Sequence, residues 1–206
     1  RVLVTGGAGF IGSHTCLVLL EQGHEIVVLD NFDNSSPEAV RRVQELAGST
    51  QLTLVEGDVR DPKAVDQAFR TAGTVDGVIH FAGLKAVGES VANPLHYWDV
   101  NVNGSRVLAA AMDRHDCRTL VFSSTATVYG EPQTFPLRED MPMAPIHPYA
   151  QTKVAVEQML GALCHAGSWQ VACLRYFNPV GAHPSGQIGE DPMGTPNNLF
   201  PFITQV

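Results

Sequence analysis

The chain has 206 residues, enough for one domain or one and a fraction with a sizeable core. Hydrophobic residues make up 44% and charged residues 17%, a globular composition that excludes a disordered or collagenous chain. Thirteen Lys and Arg against 21 Asp and Glu give a net charge of −8 with no basic cluster, which argues against nucleic acid or an anionic membrane as partner. An anionic small molecule stays open, because a few backbone amides hold a phosphate whatever the global charge.

The cysteines (Cys16, Cys117, Cys164, Cys173) are dispersed and form no CxxC pair, so neither a disulfide framework nor a zinc ribbon is indicated. No apolar run reaches the ~18 residues of a membrane span, and the first residues lack the sections of a signal peptide. Together these predict a protein of the reduced cytoplasm.

From Val2 onward, strands and helices alternate. Val2–Thr5 reads as a strand, Phe10–Gln22 as a helix and Glu25–Asp30 as a second strand. Pro37–Ala47 reads as a helix with proline at its first position. Leu52–Val55 is a short strand, Pro62–Thr71 a helix, and Val75–His80 a strand. Pro94–His115 predicts one long helix, Thr119–Ser123 a strand, Pro148–Ala166 a helix and Gln170–Arg175 a last strand. Runs such as Ile26-Val27-Val28-Leu29 mark strands covered on both faces. The expected fold is therefore α/β: a doubly wound parallel sheet of the Rossmann type, joined by right-handed crossovers. Residues 178–201 hold four glycines and five prolines without periodicity and read as irregular loop. The apolar Phe202–Val206 then predicts the start of a new element. The expected division is a dinucleotide-binding domain over 1–175 and the beginning of a smaller, truncated substrate domain over 176–206.

Gly6-x-x-Gly9-x-x-Gly12 falls between the first strand and the first helix. Glycine there permits a tight turn and lets a pyrophosphate rest against amides at the helix N-terminus; a tight strand-to-helix turn alone also uses glycine. Asp30 ends the second strand 18 residues beyond Gly12, near the spacing expected of an acid that accepts from the adenosine ribose hydroxyls. Asn31-Phe32-Asp33-Asn34-Ser35 offers no cation for a 2′-phosphate, so NAD is expected over NADP.

Tyr149 and Lys153 stand at i and i+4 of the helix that begins at Pro148, about 6 Å apart along its axis. A phenol with an ordinary pKa near 10 is a poor base at neutral pH. A nearby ammonium, the positive helix end and an oxidised nicotinamide all favour the phenolate. Ser123-Ser124-Thr125 lies just where the fifth strand ends, the ligand side of such a sheet, where a hydroxyl could bridge a substrate oxygen and Tyr149. The histidines show no HExxH or other metal spacing, and no metal is expected. Val154, Met159, Leu160 and Leu163 follow helical spacing and read as core or subunit interface.

These segments, with Phe81–Ser90, Phe122–Gly130, Arg175–Gly186, Gly189–Pro192 and Pro196–Leu199, closely resemble the UDP-glucose 4-epimerase family of the extended short-chain dehydrogenase/reductase superfamily. The resemblance runs over essentially the whole chain. It implies Tyr149 as catalytic base, Lys153 as its electrostatic partner and Thr125 as the proton-relaying hydroxyl, a place often held by serine. It implies NAD contacts at Phe10, Ile11, Asp30, Asn31, Phe32, Asp33, Asn34, Ser35, Asp58, Val59, Phe81, Ala82, Gly83, Leu84, Lys85 and Phe177. Some relatives carry asparagine at the place of Val100; Asn101 is the nearby amide here. Lys85, Thr125, Tyr149, Asn178, Asn197, Asn198 and Leu199 are implied to meet the nucleotide sugar. The helices from Pro94 and Pro148 lie where relatives pair into a homodimer. Family members continue past residue 206, in a part that supplies much of the uridine and diphosphate grip.

The implied reaction is epimerisation at C4 of a UDP-hexose through a transient 4-keto sugar, with NAD regenerated each cycle. Two alternatives are carried. A sugar-nucleotide dehydratase needs an added acid and base, and relatives of that type have Asp-Glu after the catalytic threonine, where Ala126-Thr127 stand here. The other is a non-catalytic NAD-binding fragment.

Overall fold

The computed structural model describes residues 1–191 and position 203. Strand β1 (Val2–Thr5) is followed by α1 (Phe10–Glu21), β2 (Ile26–Asp30), α2 (Pro37–Ala47), β3 (Leu52–Glu56), α3 (Pro62–Ala72) and β4 (Gly77–His80). Then come α4 (Val87–Ala92), α5 (Pro94–Tyr97), a π-helical stretch (Trp98–Asn103), α6 (Gly104–Arg114), β5 (Thr119–Thr125), a 3-10 turn (Ala126–Tyr129), α7 (Pro148–Ala166) and β6 (Gln170–Tyr176).

All six strands are parallel, in the order β3-β2-β1-β4-β5-β6. The winding reverses between β1 and β4, which opens a crevice at their carboxyl ends. Side chains alternate between two cores. Leu3, Leu29, Val78, Leu120 and Phe122 pack against α3, α6 and α7, where Val156 and Leu160 are buried and Met159 and Leu163 partly so. Val4, Ile26 and Val28 pack the other way, against Cys16, Leu17 and Leu20 of α1 and Val40 and Val43 of α2. Helices α1 and α2 lie over β1 to β3, and on β6 Ala172 and Leu174 are exposed.

Local chemistry sets the helix starts. Ser36 and Asp61 accept from Glu38 N and Lys63 N to cap α2 and α3, and proline follows each cap. His147 Nδ1 caps α7 by accepting from Ala150 N at 3.2 Å.

Beyond one-residue shifts at the ends of α1, β2, β3, α3, α6 and β6, four details differ from the sequence expectations. Strand β4 begins at Gly77, not Val75, because Gly77 pairs with Val2, where β1 itself begins. Strand β5 continues through Thr125 because β6 pairs with it as far as Tyr176. The short helix α4 lies within the stretch after β4 that carried only a motif. The long helix over 94–114 is continuous but π-helical from Trp98 to Asn103, a widening that occurs frequently at functional sites.

Candidate active site

The glycine loop is built for close approach. Gly6 has φ +70°, and a Cβ there would stand 2.6 Å from Ala82 N. A Cβ on Gly12 would stand 2.2 Å from the Gly6 carbonyl oxygen. Gly9 supplies no side chain to cap α1, so the first-turn amides of this helix lack the partner that Ser36 and Asp61 give α2 and α3. An uncapped helix start behind three glycines fits a pyrophosphate.

Asp30 closes this loop against β2. Its Oδ2 accepts from Ala8 N at 2.9 Å, and its Oδ1 from Phe32 N at 3.0 Å and Ser35 Oγ at 2.8 Å. A carboxylate has about four acceptor positions, so capacity remains for a ribose hydroxyl. Beyond it, Asp33 N donates to Asn31 Oδ1 at 3.1 Å, and Asn34 occupies the turn before Ser35. Asn31 Nδ2 donates to Asp58 Oδ2 at 3.2 Å, which brings the segments after β2 and β3 together. Val59 is buried there against Gly104 of α6. Sequence reasoning missed Arg60, whose guanidinium bonds Asp58 and Asp99 and holds the Asp58 carboxyl down at about 2.

Phe81 N and Ala82 N both donate to the Thr5 carbonyl, at 2.9 and 3.1 Å, which pins the segment after β4 over β1. Asn101 then fastens the lysine loop. Its Oδ1 accepts from Leu84 N at 2.8 Å, while its Nδ2 donates to Leu84 O and to Thr152 Oγ1, both at 3.1 Å. The π-helical stretch thus places Asn101, 3% exposed, between the loop and α7. Gly83 faces the same spot, since a Cβ on it would lie 3.7 Å from Lys153 Nζ. Lys85 Nζ pairs with Glu190 at 3.0 Å, a carboxylate from the segment after β6.

Thr125, Tyr149 and Lys153 meet at the carboxyl end of β5. Lys153 is buried; Nζ donates to Ser123 O at 2.8 Å and lies 4.8 Å over the Phe122 ring. Burial pushes its ammonium down to about 8, and Glu157 opposes that fall. Burial pushes the Tyr149 phenol up, partly offset by a hydrogen bond with Thr125. Lys153 Nζ lies 6.0 Å from the centre of the Tyr149 ring. With burial raising the phenol, the positive charge of a bound nicotinamide is the further cation that would favour phenolate.

Phe177 and Asn178 follow β6 at this same end of the sheet and are exposed. Asn197, Asn198 and Leu199 lie outside the described residues. Sequence reasoning also missed Glu157 and Arg175, which join behind Lys153 with Ser124, one of the three hydroxyl residues expected at the end of β5. The available signal was the spacing of Glu157 four residues after Lys153, which puts both on one face of α7.

A Rossmann fold with an uncapped glycine loop, an acid ending β2 and a Tyr-Lys pair after β5 is the framework of a dinucleotide-dependent enzyme of the short-chain dehydrogenase/reductase type. The chain belongs to the NAD dependent epimerase/dehydratase family, which it matches over residues 2–205. It is 57% identical over 206 residues to a UDP-glucose 4-epimerase of Bacillus subtilis (strain 168), covering all of this chain and 60% of that relative. It is 54% identical to UDP-glucose 4-epimerase 1 of Oryza sativa subsp. japonica, covering 100% of this chain and 58% of the relative. The UDP-glucose 4-epimerase of Bifidobacterium longum in complex with NAD+ and UDP superposes with a TM-score of 0.95 at 47% identity, covering 99% of this chain and 61% of that one. That of Stenotrophomonas maltophila, with bound NAD and formylated UDP-arabinopyranose, gives 0.95 at 46% identity over 100% and 61%. The chain thus spans about 60% of the length of the curated relatives it matches.

Proposed function

We propose that this chain carries the NAD-binding and catalytic part of a UDP-glucose 4-epimerase, interconverting UDP-glucose and UDP-galactose. The observation that carries the reading is the meeting of Thr125, Tyr149 and Lys153 with the uncapped glycine loop at one end of the sheet. Residues 1–175 form the cofactor domain in this proposal, and 176–206 begin the substrate-binding region. The glycine loop would hold the pyrophosphate, Asp30 the ribose, and the 81–85 segment with Lys153 the nicotinamide half. When bound, NAD supplies the acceptor and later the donor of the sugar C4 hydride.

The chain's own groups handle the proton. Tyr149 takes the proton of the sugar 4-hydroxyl, and Thr125, beside the phenol at the end of β5, relays it. Lys153 stabilises the phenolate by its charge. Return of the proton to the 4-oxygen completes the inversion once the keto sugar has turned its other face. Asn178, with Asn197, Asn198 and Leu199, would orient the sugar nucleotide. Ala126 and Thr127, where a dehydratase would need Asp-Glu, supply no carboxylic acid.

Val91, Leu95 and Trp98, on α4 and along the helix from Pro94, expose large apolar surface, with Leu95 83% exposed, and support a homodimer through this helical face. The free thiols of Cys16, Cys117, Cys164 and Cys173 support a cytoplasmic setting. Among the described residues no helix is long and apolar enough to cross a membrane.

Incubating the protein with NAD and UDP-galactose tests the reading. UDP-glucose should form without net NADH. Formation of a 4-keto-6-deoxy sugar nucleotide would replace the reading with a dehydratase, and NAD binding without turnover would reduce it to a binding unit.

A further inference from the structure

The face of α7 that presents Tyr149 and Lys153 continues one turn on to Glu157. The Glu157 side chain is 7% exposed, and its carboxylate is held from two other elements. The Ser124 hydroxyl of β5 donates to it. Arg175 of β6 donates through Nη2 at 2.7 Å and Nε at 3.2 Å. Arg175 is fixed in turn, donating through Nη1 to the Tyr129 hydroxyl at 2.6 Å and to the Glu139 carbonyl at 3.1 Å.

Fold stability gives no reason for a charge pair at this place, because well-packed apolar residues often serve as well or better. The surroundings of Lys153 do give a reason. Its ammonium has a carbonyl dipole and a ring face as contacts, from Ser123 and Phe122. Tyr149 and Glu157 flank it on α7, and from β4 it faces His80, which burial keeps neutral. Arg175, from β6, is already engaged by Glu157. The Glu89–Tyr97 pair, from α4 and α5, lies toward Tyr149. Glu157 is the anion among these that supports the Lys153 charge.

We propose that Glu157, fixed by Ser124 and Arg175, is a positioning residue of the Tyr149–Lys153 couple, its carboxylate keeping the Lys153 ammonium charged inside the protein. The kinetic part of this proposal rests on the epimerase reading; the charge on Lys153 does not. Removing the carboxylate takes away the opposing charge and also frees the Arg175 guanidinium, and both effects favour loss of the Lys153 proton.

The test uses the full chain loaded with NAD. Carbon-13 NMR titration follows the Lys153 side chain, its signal identified by its loss in Lys153→Met, while UDP-galactose turnover is measured against pH. Glu157→Gln should lower both the Lys153 midpoint and the alkaline limb of turnover by about one pH unit or more. Glu157→Asp should restore most of both. If Glu157→Gln does not fold, the pair Glu157→Gln with Arg175→Gln leaves no stranded charge and should show a smaller shift in the same direction. A Lys153 midpoint unchanged in the folded variant overturns the proposal. Absence of turnover in the parent counts against the epimerase reading alone, because the NMR titration still decides the role of Glu157.

Discussion

The carboxylate of Asp30 serves the loop before it serves a ligand. It ties Ala8 of the glycine loop to Phe32 and Ser35 and keeps acceptor capacity toward the crevice. The absence of cations in residues 31–35 was legible, but Arg60 was not foreseen near this end of the site. Its charge is taken up by Asp58 and Asp99, so it is not available to welcome a 2′-phosphate. NAD should therefore bind more tightly than NADP. Asp30→Asn should weaken NAD by about tenfold, the scale of one charged hydrogen bond, and narrow the gap between the two cofactors. Isothermal titration with each cofactor checks this, and equal affinities in the parent would contradict it.

At the scale of elements, His80 joins β1, β4 and α6. The Ser105 hydroxyl donates to Asn101 O at 2.6 Å, so it must accept from His80 Nε2, 2.9 Å away. Nδ1 then accepts from the Thr5 hydroxyl at 2.6 Å. Nδ1 has that lone pair because the ring is neutral: burial, aided by Lys153, pushes the imidazole down to about 3 from an ordinary 6.5. Below about pH 6.5 the unfolded chain takes up a proton that the folded one refuses. The stability contributed by the neutral ring is therefore complete above that pH. It falls by up to ~1.4 kcal/mol per pH unit as the pH drops toward 3. Urea unfolding across this range should show His80→Gln less stable at pH 7 but with a flatter acid slope; parallel slopes would contradict the assignment. None of this was legible, because β4 read only as a hydrophobic strand and the partners lie 75 and 25 residues away. The π-helical stretch escaped for a related reason: its apolar and polar pattern is that of a helix, and only the packing of Asn101 against Leu84 and Thr152 marks the widening.

For the whole molecule, what depends on near neighbours in sequence was readable. Continuous apolar strands, proline after a cap, the glycine loop and the Tyr-Lys spacing each announce themselves within a few residues. That the sheet is parallel was readable from the alternation of strand and helix, whereas its order, β3-β2-β1-β4-β5-β6, was not. Nor was the Ser124–Glu157–Arg175 junction, because it exists only once β5 and β6 pair in register, with Ser124 opposite Arg175. The exposed face of β6 likewise shows only in the assembled sheet, where Leu174 is 40% exposed. In the proposed reaction this assembly brings the Tyr149 phenol into position as the base for a sugar hydroxyl. The most direct test of that role is Tyr149→Phe in the full chain, with bound NAD quantified and UDP-galactose turnover measured together. Full NAD occupancy is expected, with a loss of roughly 10²-fold or more in turnover, the scale of a positioned general base. Turnover at the parent's rate with full occupancy would contradict it.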